Sequence, residues 1–288
     1  MAEKKIQRPL VGFIGQGYIG KNYADDFEKR GFRVVRYALE NGYEKNRDLI
    51  KKCDIVFIAV PTPTTPKGFS VEIVRKVLPL VGKGKIAVIK STILPGTTKA
   101  LQKENPRITI LNSPEFLSEV QAARDAAYPF SNIVGVPVKD GEHTKAARDV
   151  QAILSKAPFA LVCDSTEAEI IKYTHNMSGY VQIVFFNMMY DISKKLKCDW
   201  SQIEKAIQAD PMVCNRYAKP IHKSGRGAGG NCFIKDFAAF TDFYASKVKV
   251  DVRGIKTLRT IEEKNKEILL ASKKDLHLLE GVYGKKKR

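Results

Sequence analysis

The stretch Val11-Gly12-Phe13-Ile14-Gly15-Gln16-Gly17-Tyr18-Ile19-Gly20 decides the fold. An apolar run of strand character feeds the pattern Gly15-x-Gly17-x-x-Gly20. Beyond it, Asn22 to Lys29 reads as a helix and Phe32 to Tyr37 as a second strand. Such glycines mean little alone. Between a strand and a helix, with another strand following, they indicate a dinucleotide site. The first glycine turns the chain tightly. The second admits a pyrophosphate onto the helix N-terminus, and the third lets helix and strand pack closely. An acid that holds a ribose 2′-hydroxyl is expected about twenty residues further on. That place falls on Ala38; Glu40 could substitute from the loop, whereas Arg33 and Arg36 would favour a 2′-phosphate. NAD is the favoured cofactor and NADP the alternative.

The first half continues in the same style. Asp54–Val60, Lys85–Lys90, Ile108–Leu111 and Asn132–Val136 read as strands, and Glu72 to Leu80 as a helix. Strands alternating with helices predict an α/β, Rossmann-type doubly wound parallel sheet. Ligands of such sheets bind beyond the carboxyl ends of the strands. Three polar segments fall there: the rigid Pro61–Pro66 loop, Ser91-Thr92, and Asn112-Ser113-Pro114-Glu115. At Asp164-Ser165-Thr166 the pattern changes. A capped helix is expected from there to about Lys197, with Glu167 and Glu169 in its first turn. Ile170, Tyr173, Val181, Phe185, Met188 and Ile192 supply its apolar positions, and Lys172 and Asn176 share one face. A solvated surface pair is the commoner fate of two such residues, and spacing alone leaves both readings open. The expected organisation is a dinucleotide-binding domain over 1–163, an all-α central domain built on the long helix over 164–270, and a basic tail over 271–288.

The run Gly229-Gly230-Asn231-Cys232-Phe233-Ile234-Lys235-Asp236 is the second strong signal. Paired glycines let the backbone approach a ligand, and a thiol follows at once. The thiolate is the nucleophile, and a nearby ammonium or helix N-terminus favours it. Phe237-Ala238-Ala239-Phe240 predicts a helix starting just after Cys232. The other cysteines (Cys53, Cys163, Cys198 and Cys214) are scattered, without C-x-x-C spacing. They read as small hydrophobes and exclude a disulfide framework and a structural zinc site; the dispersed histidines point to no metal.

A formal charge of +18 favours anionic partners such as phosphate-bearing small molecules. Nucleic-acid binding would need a basic stripe or a known module as well, and neither is present. Lys285–Arg288 reads as a solvated tail. No apolar run approaches the roughly 18 residues of a membrane span, and Met1–Lys5 has no signal-peptide form. A cytoplasmic location and no membrane partner are expected.

Together these motifs resemble the UDP-glucose/GDP-mannose dehydrogenase family. The resemblance rests on the glycine pattern, Val60-Pro61-Thr62-Pro63, Lys90-Ser91-Thr92 with Pro95-Gly96-Thr97, Ser113-Pro114-Glu115-Phe116-Leu117-Ser118-Glu119, Glu169-x-x-Lys172-Tyr173-x-x-x-Asn176, and Gly229-Gly230-x-Cys232-Phe233-x-Lys235-Asp236. Order and spacing agree over about residues 9 to 270. The family oxidises the C6 hydroxymethyl group of a nucleotide sugar to a carboxylate with two NAD. The resemblance implies that Cys232 attacks a C6 aldehyde, giving a thiohemiacetal and then a thioester. Lys172 and Asn176 would stabilise charge on the C6 oxygen. Thr92, Glu119 and Asp236 would position or activate water, with Glu115 or Glu119 as the base. It implies cofactor contacts from Gly15, Gln16, Gly17, Tyr18, Ile19, Gly20, Glu40, Pro61, Thr62, Ser91, Thr92, Glu119 and Lys235. Substrate contacts would come from Glu115, Phe116, Leu117, Lys172, Asn176, Arg216, Lys223, Ser224, Gly225 and Gly229. The backbone N–H groups and basic side chains of Lys223–Gly229 would wrap the diphosphate, and Arg216 would reach a neighbouring subunit. UDP-glucose is the favoured substrate, and a homodimer through the long helix is expected. The family's usual third domain, which closes over the nucleotide, is expected to be missing, because only about eighteen residues follow Leu270. Two other readings suit the motifs. One is a short β-hydroxyacid dehydrogenase, which needs no cysteine. The other is a scaffold that binds nucleotide without turnover.

Overall fold

A computed structural model describes residues 8–285; Met1–Lys5 and the end of the basic run lie outside the described residues. The chain begins β1 (Val11–Ile14), α1 (Tyr18–Lys29), β2 (Val34–Tyr37), β3 (Ile55–Ile58), β4 (Thr64–Thr65) and β5 (Gly68–Phe69). It continues α2 (Glu72–Val77), β6 (Ile86–Ile89), α3 (Thr97–Glu104), β7 (Thr109–Asn112), α4 (Ala122–Ala127), β8 (Ser131–Val136), α5 (Gly141–Ile153) and β9 (Phe159–Asp164). Then come α6 (Ser165–Lys195), α7 (Trp200–Ala209), β10 (Ile221–His222), β11 (Gly225–Arg226), α8 (Gly230–Lys247), α9 (Val252–Ala271) and α10 (Leu276–Tyr283). The chain divides into two compact units. The first runs to Thr62 and resumes over Ser70–Lys172; the second comprises Pro63–Phe69 and everything from Tyr173. The division passes through α6 rather than before it.

The first unit holds a seven-stranded sheet in the order β2-β1-β3-β6-β7-β8-β9. β1 pairs with both β2 and β3 in parallel register, so the chain reverses direction across the sheet between β1 and β3. In open α/β sheets this reversal makes the ligand crevice, here flanked by the glycine turn and the Val60-Pro61-Thr62 segment. Phe13, Phe27 and Phe57 fix β1, α1 and β3 together, with ring centroids 5.1–5.5 Å apart. The parallel, doubly wound sheet expected from the sequence carries one exception: β7 and β8 pair antiparallel, at Asn112 and Gly135. The loop expected over Pro61–Pro66 needs correction, since Thr64–Thr65 pairs with Gly68–Phe69 in a small hairpin. At the end of the sheet, a Cβ on Gly135 would lie 2.6 Å from the Ser165 Cα, so only glycine lets β8 approach the start of α6 this closely.

The second unit is helical. Tyr180 of α6 stacks on Phe237 of α8 with centroids 3.8 Å apart. Phe186, Trp200 and Ala218 form a second core near the far end of α6. The stretch read as a basic tail contains α10, whose Leu279 and Val282 pack with Ile234, Ala238 and Leu269 of α8 and α9. Among the described residues, no helix is long and apolar enough to cross a membrane.

Candidate active site

The glycine turn in the first unit has the shape its motif demands. Gly15 adopts φ +91°, and a Cβ there would lie 2.3 Å from the Ala59 carbonyl oxygen. A Cβ on Gly20 would lie 2.0 Å from the Gly15 carbonyl oxygen, which explains the close packing of α1. At Gly17, the N-cap of α1, a Cβ would meet nothing within 4 Å, and no side chain caps the helix. This open approach to a helix N-terminus fits a pyrophosphate. Tyr18 opens α1, and Ile19 packs on the core. Gln16 donates to the Gly15 carbonyl and accepts from Arg36. Arg36 is committed to Asp25 and Glu28, at 2.7 Å each. Glu40 is exposed beyond β2. With its guanidinium held by two carboxylates, Arg36 is a poor receptor for a 2′-phosphate, and the turn fits NAD.

The loops at the strand ends are tied to one another. The Ser91 hydroxyl donates to the Val60 carbonyl (2.7 Å) and accepts from the Val60 N–H (3.0 Å). Thr62 donates to the Thr92 carbonyl at 2.8 Å, while Pro61 is exposed. Glu115 and Glu119 part company: Glu115 is buried and Glu119 exposed. Glu115 Oε2 accepts from the Leu117 N–H at 2.7 Å. Lys172 donates to the Glu115 carbonyl (2.6 Å) and to its Oε1 (3.1 Å), with the ammonium 5.3 Å from the Phe116 ring centroid. The solvated-pair reading of Lys172 and Asn176 is thereby corrected, since both are only 6% exposed.

Two groups beside this pair escaped the sequence reading of site residues, although both lie in quoted motifs. Lys90 is buried, donates to the Ser113 hydroxyl at 3.0 Å and sits 4.5 Å from the Tyr23 ring centroid. Burial pulls its ammonium down to about 7, against the favourable field of Glu115. Glu169 accepts from the Gly96 N–H (2.5 Å), the Thr98 N–H (2.8 Å) and the Thr98 hydroxyl (2.6 Å) at the start of α3. Burial pushes its carboxyl up to about 7 despite these donors.

In the second unit, α8 starts at Gly230, so Cys232 lies inside its first turn rather than ahead of it. Cys232 and Asp236 are one turn apart on that helix. Asp236 is 1% exposed; its Oδ2 accepts from Asn176 Nδ2 at 2.8 Å and its Oδ1 from Lys235 Nζ at 2.5 Å. The segment expected to wrap a diphosphate is strapped from behind. The N–H groups of Arg226, Ala228 and Gly230 donate to Ser272 Oγ, Asn265 Oδ1 and Asp275 Oδ2, at 3.1, 2.7 and 2.7 Å. Two of those donors, Arg226 and Ala228, belong to the Lys223–Gly229 loop and are spent within the protein, and the expectation for the loop backbone needs correction to that extent. A Cβ on Gly229 would lie 2.1 Å from Asp275 Oδ2 and displace that strap, whereas one on Gly225 would be tight, 3.0 Å from Ser272 Oγ. Lys223, at φ +55°, and Ser224 are exposed on the turn between β10 and β11, and Arg216 is exposed beside Tyr217. Asn265 and Asp275 carry no motif that sequence could have flagged.

Known proteins resemble this chain in sequence and fold. A Rickettsia conorii UDP-glucose 6-dehydrogenase is 28% identical over 243 residues, covering 81% of this chain and 54% of the relative. A putative UDP-glucose 6-dehydrogenase of Bacillus subtilis, YtcA, is 28% identical over 82% of this chain and 56% of its own. The chain thus spans about half the length of these curated relatives. A UDP-glucose dehydrogenase structure from Pyrobaculum islandicum superposes with a TM-score of 0.75 at 24% identity, covering 91% of this chain and 70% of that one. A Mycobacterium tuberculosis 3-hydroxyisobutyrate dehydrogenase gives 0.70 at 15% identity, covering 92% and 94%. At such identities these two show the fold alone. Residues 36–154 match the NAD binding domain of the UDP-glucose/GDP-mannose dehydrogenase family and residues 166–266 match its central domain, so the chain belongs to that family.

Proposed function

We propose that the chain acts as a cytoplasmic nucleotide-sugar 6-dehydrogenase, with UDP-glucose the favoured substrate. One observation carries this reading. Lys172 and Asn176, a turn apart on α6, are both buried, and each is bonded to an acid from a different motif. Burying an ammonium and two carboxylates costs several kcal/mol per ion before pairing. Such an outlay on one short helix face is the mark of a reaction centre.

NAD bound at the glycine turn would accept the electrons of two successive oxidations at C6. The protein's own groups do the rest. Lys172, held by Glu115, presents a fixed positive charge to the C6 oxygen. The Cys232 thiolate adds to the aldehyde carbon, and the resulting oxyanion takes a proton to give a thiohemiacetal. Oxidation of that adduct leaves a thioester on Cys232. Water then adds to the acyl carbon, Asp236 takes its proton, the C–S bond breaks, and the thiolate is regenerated. Asn176 and Lys235 hold the Asp236 carboxylate for that step. Glu119, exposed, is the weaker candidate base.

A homodimer through α6 completes the reading. Val181, Phe185, Met188 and Ile192 form a stripe on α6 with exposures of 38, 52, 48 and 52%. A run of this kind on a monomer's surface is an expected partner face.

The test is purified protein with NAD and UDP-glucose, followed by NADH absorbance and sugar-acid analysis. NADH should accumulate at two per sugar, and Cys232→Ser should stop the second oxidation. No NADH with any UDP- or GDP-sugar, where calorimetry shows the sugar bound, would overturn the reading. Alkylation of Cys232 separates it from the β-hydroxyacid alternative, which survives loss of the thiol.

A further inference from the structure

The turn between α9 and α10 grips the segment that leads into Cys232. Ser272 Oγ accepts from the Arg226 N–H and donates to the Arg226 carbonyl, at 3.1 and 3.2 Å. Lys274 Nζ donates to the Gly227 carbonyl at 2.9 Å. Asp275 Oδ2 accepts from the Gly230 N–H at 2.7 Å, on the first residue of α8. The fit leaves no room for a side chain at Gly229. Asp275 itself sits in the left-handed region at φ +53°, a conformation that aspartate and asparagine tolerate. An anion delivered from another helix thus occupies the positive end of α8, within a turn of the thiol.

From this juxtaposition we propose that Asp275 is a positioning residue that governs Cys232: its carboxylate fixes the α8 N-terminus while restraining ionisation of the thiol. The physical basis is simple. A helix N-terminus and nearby ammonium groups favour the thiolate, whereas a carboxylate in the same turn opposes it. Lys235 and Asp236 follow Cys232 on α8, and Lys223 on the β10–β11 turn and Asp275 both act on Lys274 through their charges. Burial holds the Lys274 ammonium below its usual range, with Asp275 pulling the other way. Lys274, buried, and Asp275, partly buried, thus place opposite charges against the loop. The consequence for function rests on the dehydrogenase reading: Asp275 would trade thiol reactivity in the resting state for a rigid α8 start.

The experiment uses the full chain without sugar or cofactor, so it is independent of turnover. Iodoacetamide alkylation of the Cys232 peptide is followed by mass spectrometry from pH 5 to 10 in the parent and in Asp275→Asn. Asparagine keeps both the acceptor oxygen and the left-handed backbone, so only the charge changes. The alkylation midpoint should fall by about half to one pH unit, raising the rate roughly three- to tenfold below the midpoint. Lys274→Met removes the opposite charge and should move the midpoint upward. An unchanged midpoint in a folded Asp275→Asn protein would overturn the proposal, as would a shift in the same direction in both variants. If the midpoint moves as expected and no nucleotide sugar is oxidised, Asp275 keeps its role and the dehydrogenase reading fails instead.

Discussion

Replacing Asn265 by alanine should loosen the segment ahead of Cys232 by a calculable amount. Asn265 is 1% exposed and bonds both polar groups of Ala228, itself 0% exposed. Its Oδ1 accepts from the Ala228 N–H at 2.7 Å, and its Nδ2 donates to the Ala228 carbonyl at 2.9 Å. Each bond contributes about 1 kcal/mol net, and a buried group left unpaired costs about 1–3 kcal/mol. Allowing for partial relaxation, about 3 kcal/mol is a fair central value. Local opening should then become roughly 150-fold more frequent. Amide hydrogen exchange of a peptide spanning residues 226–231 reads this directly. Strand β3, in the other unit, should keep its protection and serves as the control. Asn265→Asp keeps the acceptor but sets a buried carboxylate against the Ala228 carbonyl, so it should raise exchange at least as much as alanine does. If Asn265→Ala leaves the peptide's protection within threefold of the parent, these bonds do not hold the loop, and the strapping argument is wrong.

Gly17→Ala should fold normally, because its Cβ meets nothing within 4 Å, yet bind NAD at least about tenfold more weakly by titration, because the methyl stands where the pyrophosphate approaches. Lys172→Met leaves Glu115, 2% exposed, without its ion partner, and should destabilise the first unit by about 3–5 kcal/mol in urea titration. Adding Glu115→Gln should recover much of that stability but no turnover. Lys90 and Glu169 should bend the stability of the first unit against pH in opposite senses. The folded-state value of Lys90 lies near 7, below the ordinary value of about 10.4, so the unfolded chain binds more protons between them and stability rises with pH over that window. Glu169 lies near 7, above the ordinary value of about 4.3, so the folded chain binds more protons and stability falls as pH rises from about 4.3 to 7. Lys90→Met should flatten the upper limb and Glu169→Gln the lower, each limb having a slope of at most about 1.4 kcal/mol per pH unit.

The strand-turn-helix start was legible because its cause is local: glycine sterics and an apolar run. The direction of β8 was not, since a short strand reads the same whether it pairs parallel or antiparallel. The edge strand β9 gave little signal, because Phe159 is exposed and no residue of the strand is fully buried. Helix α10 was obscured by the lysines that follow it, although Leu276, Leu279 and Val282 lie at helical spacing. Within the site, residue types were legible and partners were not. Lys172 finds Glu115 across 57 positions and Gly230 finds Asp275 across 45, contacts that no local pattern encodes.

Helix α6 shows how little periodicity says about what each face of a helix meets. In its second half the stripe Val181, Phe185, Met188 and Ile192, read as apolar positions at helical spacing, is exposed. In its first half Glu169, Lys172 and Asn176, the residues ordinarily given to water, are buried. Their spacing of three and then four places them on one face. Each meets a different motif: Glu169 the start of α3, Lys172 the turn at Glu115, and Asn176 the α8 carboxylate of Asp236. The polar residues of this face are buried because they meet polar groups that arrive from distant parts of the chain. Hydrophobic burial also gives this helix its sides, through Tyr173, Tyr180, Val184 and Phe186, but it is not the only determinant. Paired charges add to it in the first half, and an exposed apolar stripe lies in the second. On this argument the register of α6, more than any single side chain, is the quantity the sequence has to preserve.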